Sequence, residues 1–411
     1  MSEVRLGGRE RLLLAGAFAV FFDRFSIAPM LIPIGRDLHA SLTAVASVAT
    51  AYFVLYGAMQ IVYGLLSDRV GRVRLMRVTC LGASGGGLLS AAAPNLPVLL
   101  VGRALTGGLI CAVFPSALTY IADRFPFQVR QRAVVDLLTA VALGTATAAF
   151  AAGALADYAS WRLAFLLPAL AMLGVGWALR WLPESLPTPA AGGPARQLRR
   201  AALRPWVAFL VLVALPEGAA ILGFLTFFAP ALEAHGTAPA LAGLVTGAYG
   251  LAVLAGTQVV RRLASGLRPW TLIAGGGACL VTAFAVAALR QSAPAILASS
   301  ALAGLAYATM HSTFQTWATE VAPEVRGTAT ALFATSAFCG AGLATAALAG
   351  LAGVGDYSDL FWIAAAVTAP TMAVGAIGRW RFPDRGFEAE AGMPAPLSGG
   401  RAAGPGPGPG R

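Results

Sequence analysis

The chain has 411 residues, 58% of them hydrophobic and only 11% charged, with a mean hydropathy of +0.74. A soluble domain carries roughly 25% charged residues, so this composition excludes an ordinary water-soluble fold. The net charge of +11 does not mark a nucleic-acid module, because the basic residues lie in short clusters between apolar runs and are not gathered on one soluble unit. The membrane is therefore the expected solvent for most side chains.

Taken in chain order, apolar runs long enough to span a bilayer predict helices near 12–33, 44–66, 74–92, 96–121, 133–156 and 162–182. Six more follow near 206–231, 239–260, 270–289, 295–319, 328–352 and 358–380. Arg5, Arg9 and Arg11 precede the first run as in a signal peptide, but the run is too long and lacks a small-residue cleavage site, so it is expected to be retained. Cys80, Cys111, Cys279 and Cys339 each fall inside an apolar run with no paired spacing, which suits packing and neither a disulfide framework nor a metal site.

All 29 basic residues are arginine, since the chain has no lysine. With the N-terminus inside, Arg36, Arg162 and Arg290 fall in external turns, Arg24 and Arg103 lie within the membrane, and the other 24 of the 29 fall in internal segments. The positive-inside rule then places both termini in the cytoplasm and the protein in the inner (plasma) membrane. The stretch 184–204 is polar and arginine-bearing and is expected to be a cytoplasmic linker between two six-helix halves, 1–183 and 205–382. Residues 383–411 are rich in Gly and Pro, cannot bury a core, and are expected to be a disordered cytoplasmic tail.

A weak internal repeat supports the two halves. Gly64 and Gly256 are 192 positions apart, Asp23 and Glu217 are 194 apart, and Arg130 and Arg326 are 196 apart. The expected fold is an all-α integral membrane protein of twelve transmembrane helices, in two pseudo-symmetric halves around a central cavity.

The run Gly64-Leu65-Leu66-Ser67-Asp68-Arg69-Val70-Gly71-Arg72-Val73-Arg74 lies between the second and third predicted helices. With Arg103 and Gly107-Gly108 in the fourth helix, Trp161-Arg162 and Phe165 in the sixth, Pro183-Glu184-Ser185 after it and Pro323-Glu324-Val325-Arg326-Gly327 before the eleventh, it resembles the major facilitator superfamily over nearly the whole chain except the tail. That resemblance implies a secondary transporter working by alternating access. Gly64 and Gly71 would allow close helix approach. Asp68, Arg69, Arg72 and Arg74 would form a cytoplasmic gate, with Asp68 drawn to the positive end of the eleventh helix and the arginines tying groups across the interface between halves. The second-half copy, Gly256 through Arg261-Arg262 to Gly266, has no Asp, so the latch is expected to be asymmetric.

Charges inside a bilayer cost several kcal/mol and are functional candidates by default. Asp23 resembles the family's first-helix acidic position and Arg103 its fourth-helix arginine, and the two are expected to carry proton coupling. Glu217, beside Pro216, is a candidate cavity residue or second proton site. Tyr307, His311 and Gln315 form a polar stripe at i, i+4, i+8, and Tyr56 with Gln60 forms a similar pair, all expected to line the substrate cavity.

No enzymatic, phosphate-loop or metal motif is found, so the expectation is a non-enzyme without cofactor or metal, driven by an ion gradient. Its expected partners are protons, a small-molecule substrate and the lipid bilayer, with no nucleic acid, and the protein is expected to be a monomer. Proton-coupled export of a drug-like compound or metabolite is the first reading. Uptake of a polar nutrient such as a sugar or organic acid is the alternative, kept open because the stretch Ala148-Ala149-Phe150-Ala151-Ala152-Gly153 departs from the fifth-helix Gly-Pro signature of antiporters. A non-transporting sensor on the same fold is the third.

Overall fold

The computed structural model describes residues 8–185, 194–263 and 267–382, apart from the side chains at 68, 127, 128, 194, 195 and 263. Twelve helical rods run in sequence. They are α1 (Arg11–Phe25, continued as Ala28–Asp37), α2 (Leu42–Val70), α3 (Arg72–Ala91), α4 (Leu96–Arg124), α5 (Phe127–Tyr158) and α6 (Trp161–Trp181). Then come α7 (Pro205–Ala234), α8 (Pro239–Leu263), α9 (Pro269–Leu289), α10 (Ala293–Glu320), α11 (Pro323–Val354) and α12 (Tyr357–Arg381). Ten are long and apolar enough to cross a membrane on their own, and α1, bent by 46° at its break, qualifies as a pair. The twelfth, α3, begins with Arg72, Arg74 and Arg77 and falls short of that measure. The chain is a multi-span, all-helical membrane protein, with no strand among the described residues.

The packing has an internal order. Within the first six rods the broad contacts are α1 with α5, α2 with α4, α3 with α4 and α3 with α6; within the last six they are α7 with α11, α8 with α10, α9 with α10 and α9 with α12. Adding six to each index of the first set gives the second. The two bundles meet through α2 with α11 and α5 with α8, which the same shift interchanges. Most of the arginines sit at one end of the rods, here the arginine-rich end.

The breaks repeat as well. α1 is interrupted at Ser26–Ile27 and α7 by a π turn at Ala219–Gly223 followed by a 3₁₀ turn at Phe224–Phe227. α4 loosens at Cys111–Ala112 and α10 by a π turn at Tyr307–His311. Pro216, which removes a backbone donor one turn before the π turn in α7, accounts for part of this.

Bilayer-spanning helices gain little from burying apolar surface against one another, so small residues and interhelical hydrogen bonds decide the contacts. Across α2 and α11, Thr335 Oγ1 donates to the Gly57 carbonyl at 2.9 Å, Thr43 Oγ1 to that of Ala349 at 3.1 Å, and Thr50 meets Thr345 at 2.9 Å. α7 and α11 are in backbone contact: a Cβ on Gly340 would fall 1.8 Å from the Leu215 carbonyl oxygen.

Two sequence expectations change. The second helix does not end near residue 66 but continues to Val70, leaving Gly71, at φ +97, as the single residue between α2 and α3. The linker contains a helix, Pro194–Ala202, whose Ala201 is buried with Val207, Ala322, Val325 and Ala329 at the arginine-rich end. The expected tail lies outside the described residues.

Gly340→Ala forces α7 and α11 apart, a strain of about 1–3 kcal/mol. Its thermal unfolding midpoint in detergent is expected to drop well below that of Gly350→Ala, where nothing lies within 4 Å of the new methyl. Equal midpoints for the two variants would contradict the close approach.

Candidate functional site

Asp23 sits at the end of the first segment of α1, where Ser26 Oγ donates to its carbonyl at 2.9 Å and the helix breaks. Arg103 reaches it from α4, Nη1 donating to Oδ1 at 2.7 Å and Nη2 to Oδ2 at 3.2 Å. Both side chains are enclosed, 1% and 3% exposed, and the guanidinium lies against the faces of Tyr52 at 4.5 Å and Phe165 at 4.7 Å. A forked, charge-assisted pair with ring walls is the arrangement that keeps two opposite charges stable away from water.

The second bundle repeats the plan with different chemistry. Glu217, on α7 and fully buried, takes His311 Nδ1 of α10 at 2.7 Å. His311 Nε2 faces Gln315 Nε2 at 2.9 Å, and its ring stacks on Tyr307 at 4.5 Å. Acid on the first rod and base on the fourth is thus the pattern of both bundles. In the first the base is a permanent cation and in the second it is an imidazole that can hold either one or two protons. Glu217 Oε2 has no hydrogen-bond partner.

Arg24 turns the opposite way from its neighbour Asp23. It donates to the Tyr56 hydroxyl and lies over the rings of Phe21, Tyr56 and Phe338 at 4.3, 4.5 and 4.9 Å. It also lines a cavity between the bundles, about 600 Å³ with its solvent-open space included, with Phe25 and Phe53 from the first and Leu222, Phe228 and Tyr249 from the second.

None of Tyr56, Gln60, Glu217, Tyr307, His311 and Gln315 lines this cavity, although all were expected to. Tyr56 stands behind Arg24, and Tyr307 stands behind Tyr249 with ring centres 6.1 Å apart. Glu217 and His311 pair with each other instead, and Gln60 is half-buried. The residues that do line it were masked in the sequence, because their hydroxyls and rings sit in uniformly apolar runs.

At the arginine-rich end the gate residues are only partly as expected. Arg72 donates to Ser67 Oγ at 2.6 Å and lies 3.5 Å from Asp123 of α4, so these contacts stay within the first bundle and do not cross between halves. Gly64 faces Ala331 of α11, in ordinary van der Waals reach of any added Cβ at 3.5 Å, and Arg69 and Arg74 are exposed. The Asp68 side chain lies outside the described residues. Glu184, read from sequence as the start of the linker and as part of the Pro183-Glu184-Ser185 motif, accepts from the backbone amides of Val73 at 2.8 Å and Arg74 at 2.9 Å and so caps α3. Gly71 is needed there twice, for its positive φ and because a Cβ would lie 2.7 Å from the Glu184 carboxyl carbon.

At the arginine-poor end Asp37 accepts from Trp161 Nε1 at 3.1 Å and from Arg162, which also donates to the Ala93 carbonyl at 3.1 Å. Glu233 of α7 is 5% exposed and neither carboxylate oxygen has a hydrogen-bond partner. Sequence reasoning passed over it as the polar end of an apolar run. Among the described residues no three of His, Cys, Asp and Glu are grouped as metal ligands would be.

Broken rods around an interior cavity, with charges buried in pairs beside it, define a membrane transporter for a small molecule and not an enzyme. The chain belongs to the Major Facilitator Superfamily, whose family model matches residues 13–232 and 218–402. It is 32% identical over 152 residues to the puromycin resistance protein pur8 of Streptomyces alboniger, covering 37% of this chain and 30% of that protein. It is 29% identical over 163 residues to multidrug resistance protein D of Escherichia coli strain K12, covering 39% and 41%. The matched segments therefore span less than half the length of these curated relatives. Among solved structures, a bacterial homologue of the human lysosomal transporter Spinster in an inward-facing, unoccupied conformation superposes with a TM-score of 0.69 at 19% identity, over 92% of this chain and 100% of that one. A D-xylose–proton symporter gives 0.68 at 18%, over 91% and 97%.

Replacing Glu184 by Ala leaves two amides at the start of α3 without an acceptor, a loss of about 0.5–2 kcal/mol for a helix cap. A lower unfolding midpoint is expected for Glu184→Ala, with Glu184→Gln, which keeps one acceptor oxygen, falling between it and the parent protein in the same scan.

Proposed function

We propose that this protein is a proton-coupled secondary transporter that exports a drug-like compound or metabolite by alternating access. The carrying observation is Asp23 paired with Arg103 inside the membrane, on two different rods of one bundle. In this scheme the guanidinium is the carboxylate's partner while the pair is closed, and a proton takes its place when the rods shift and the guanidinium withdraws, so the proton follows the conformation. Glu217 and His311 form a second pair able to hold a proton next to the cavity.

Export is favoured over uptake of a polar nutrient by the cavity's wall, where Phe25, Phe53, Phe228, Leu222, Leu225 and Ile27 give large apolar faces that suit an amphiphile better than a sugar. The resistance and multidrug relatives point the same way. The arginine-rich end is cytoplasmic by the positive-inside rule, which puts both termini inside; the scheme takes the protein as a monomer of the inner membrane. The halves are 1–183 and 205–382, joined by 184–204.

The α2–α3 turn acts as the cytoplasmic latch in this scheme, with Asp68 in the last turn of α2 as its acidic member. Asp68→Asn removes charge and little volume, so transport is expected to fall at normal expression, with cysteines in the cytoplasmic vestibule labelled faster. Unchanged labelling in a folded Asp68→Asn protein rules the latch out.

Asp23→Asn imitates the permanently protonated carboxyl. In proteoliposomes under an imposed pH gradient, accumulation of a transported dye is expected to be lost, while exchange between equal concentrations survives. Arg103→Ala is expected to impair the same step. Gradient-driven accumulation at the parent level in Asp23→Asn would sink the coupling scheme.

A further inference from the structure

The walls of the 600 Å³ cavity carry an imbalance. Arg24 is 7% exposed, its Nε has no hydrogen-bond partner, and among the described residues it forms no ion pair. Its neighbour Asp23 is already engaged on both oxygens by Arg103. What holds Arg24 is a hydroxyl, Tyr56, and three ring faces, which attract a cation without neutralising it.

Two more polar groups on the same walls are unused. The Tyr249 hydroxyl and Ser300 Oγ are buried and have no partner. The contrast is with Thr145, Thr226 and Thr246, also on these walls, whose hydroxyls each donate to a carbonyl of their own helix. One unneutralised guanidinium and two unpartnered hydroxyls therefore belong to residues that line the same space, beside apolar side chains and threonines already satisfied by their own helices. A buried donor without an acceptor is destabilising, and a buried cation without an anion more so, which is what a ligand completing them would relieve.

We propose that the cavity takes an amphipathic monoanion, its carboxylate or similar group held by Arg24 with Tyr249 and Ser300 donating, and its apolar body against Phe25, Phe53 and Phe228. This rests on the transporter reading for the cavity's role and narrows its substrate class. The guanidinium fork matches a carboxylate in shape. The anion comes from the first bundle's charge and the second bundle's hydroxyls together, so binding bridges the two halves.

The test uses 2-naphthoate, its neutral isostere 2-naphthamide and the cation 2-naphthylmethylammonium, with binding to the purified full chain in lipid nanodiscs read by titration calorimetry. Naphthoate is expected to bind at least about tenfold more tightly than either competitor, as a charge-assisted contact is roughly twice a neutral one in strength. Arg24→Gln is expected to erase that preference and Arg24→Lys to retain part of it. If Arg24→Gln does not fold, the pair Tyr249→Phe and Ser300→Ala removes only the hydroxyls and is expected to weaken naphthoate several-fold while leaving naphthamide unchanged. Equal binding of naphthamide, tighter binding of the cation, no binding of naphthoate, or a preference that survives Arg24→Gln would each overturn the proposal. The assay has no gradient, so the naphthoate preference is read independently of proton coupling, and the two readings can fall separately.

Discussion

The dryness of the bilayer interior governs this molecule. A charge placed there must be matched within hydrogen-bond distance or shielded, and the Asp23–Arg103 fork is where the requirement is met most completely. That pair fixes α1 to α4 across the first bundle, and its satisfaction leaves Arg24, one residue on, to be dealt with differently. The aromatic cage around Arg24 and its place on the cavity wall follow from there being no second carboxylate on that side of α1. Glu217 meets the same constraint in the second bundle with an imidazole, a partner whose charge is not permanent.

The helix breaks belong to the same economy of backbone polarity. An unbroken helix satisfies its own amides and carbonyls and offers nothing to a ligand, whereas the interruptions in α1, α4, α7 and α10 loosen the rods next to the interior. They fall on the first and fourth rods of each bundle, the rods that also carry the buried acid and base. Flexibility and charge are thus concentrated on four of the twelve rods. The others, including α2, α5, α8 and α11, form the lateral contacts through threonines and small residues.

Much of the architecture was legible in the sequence because lipid enforces long apolar runs and the arginines punctuate them. Twelve transmembrane helices were expected; among the described residues ten rods are apolar spans, the bent α1 makes an eleventh and α3 falls short, while Asp23 and Arg103, singled out as intramembrane charges, are found paired. Boundaries suffered where the sequence changes character without the backbone doing so. Ser67, Asp68 and Arg69 look like a polar loop but occupy the last turns of α2, and only the positive φ of Gly71 ends it. The cavity lining was not legible. Glu217 and His311 stood out as polar residues in apolar runs, but that is equally the mark of two residues satisfying each other. Tyr249 and Ser300 carry no signal at all until their hydroxyls are seen to lack partners. Glu184 was visible as part of a motif, yet its partners are backbone amides more than a hundred positions away, which no local pattern encodes.

The Glu184 cap also sets the length of a leash. The crossing between bundles is pinned at one end where Glu184 grips the start of α3, and at the other where Ala201 is seated beneath α7 and α11. Between Ser185 and the linker helix starting at Pro194 the chain can reach at most roughly 30 Å when fully extended. Whatever rocking the bundles perform, their arginine-rich ends are held within that radius of each other, and a pull on the crossing is delivered first to the single-residue joint at Gly71.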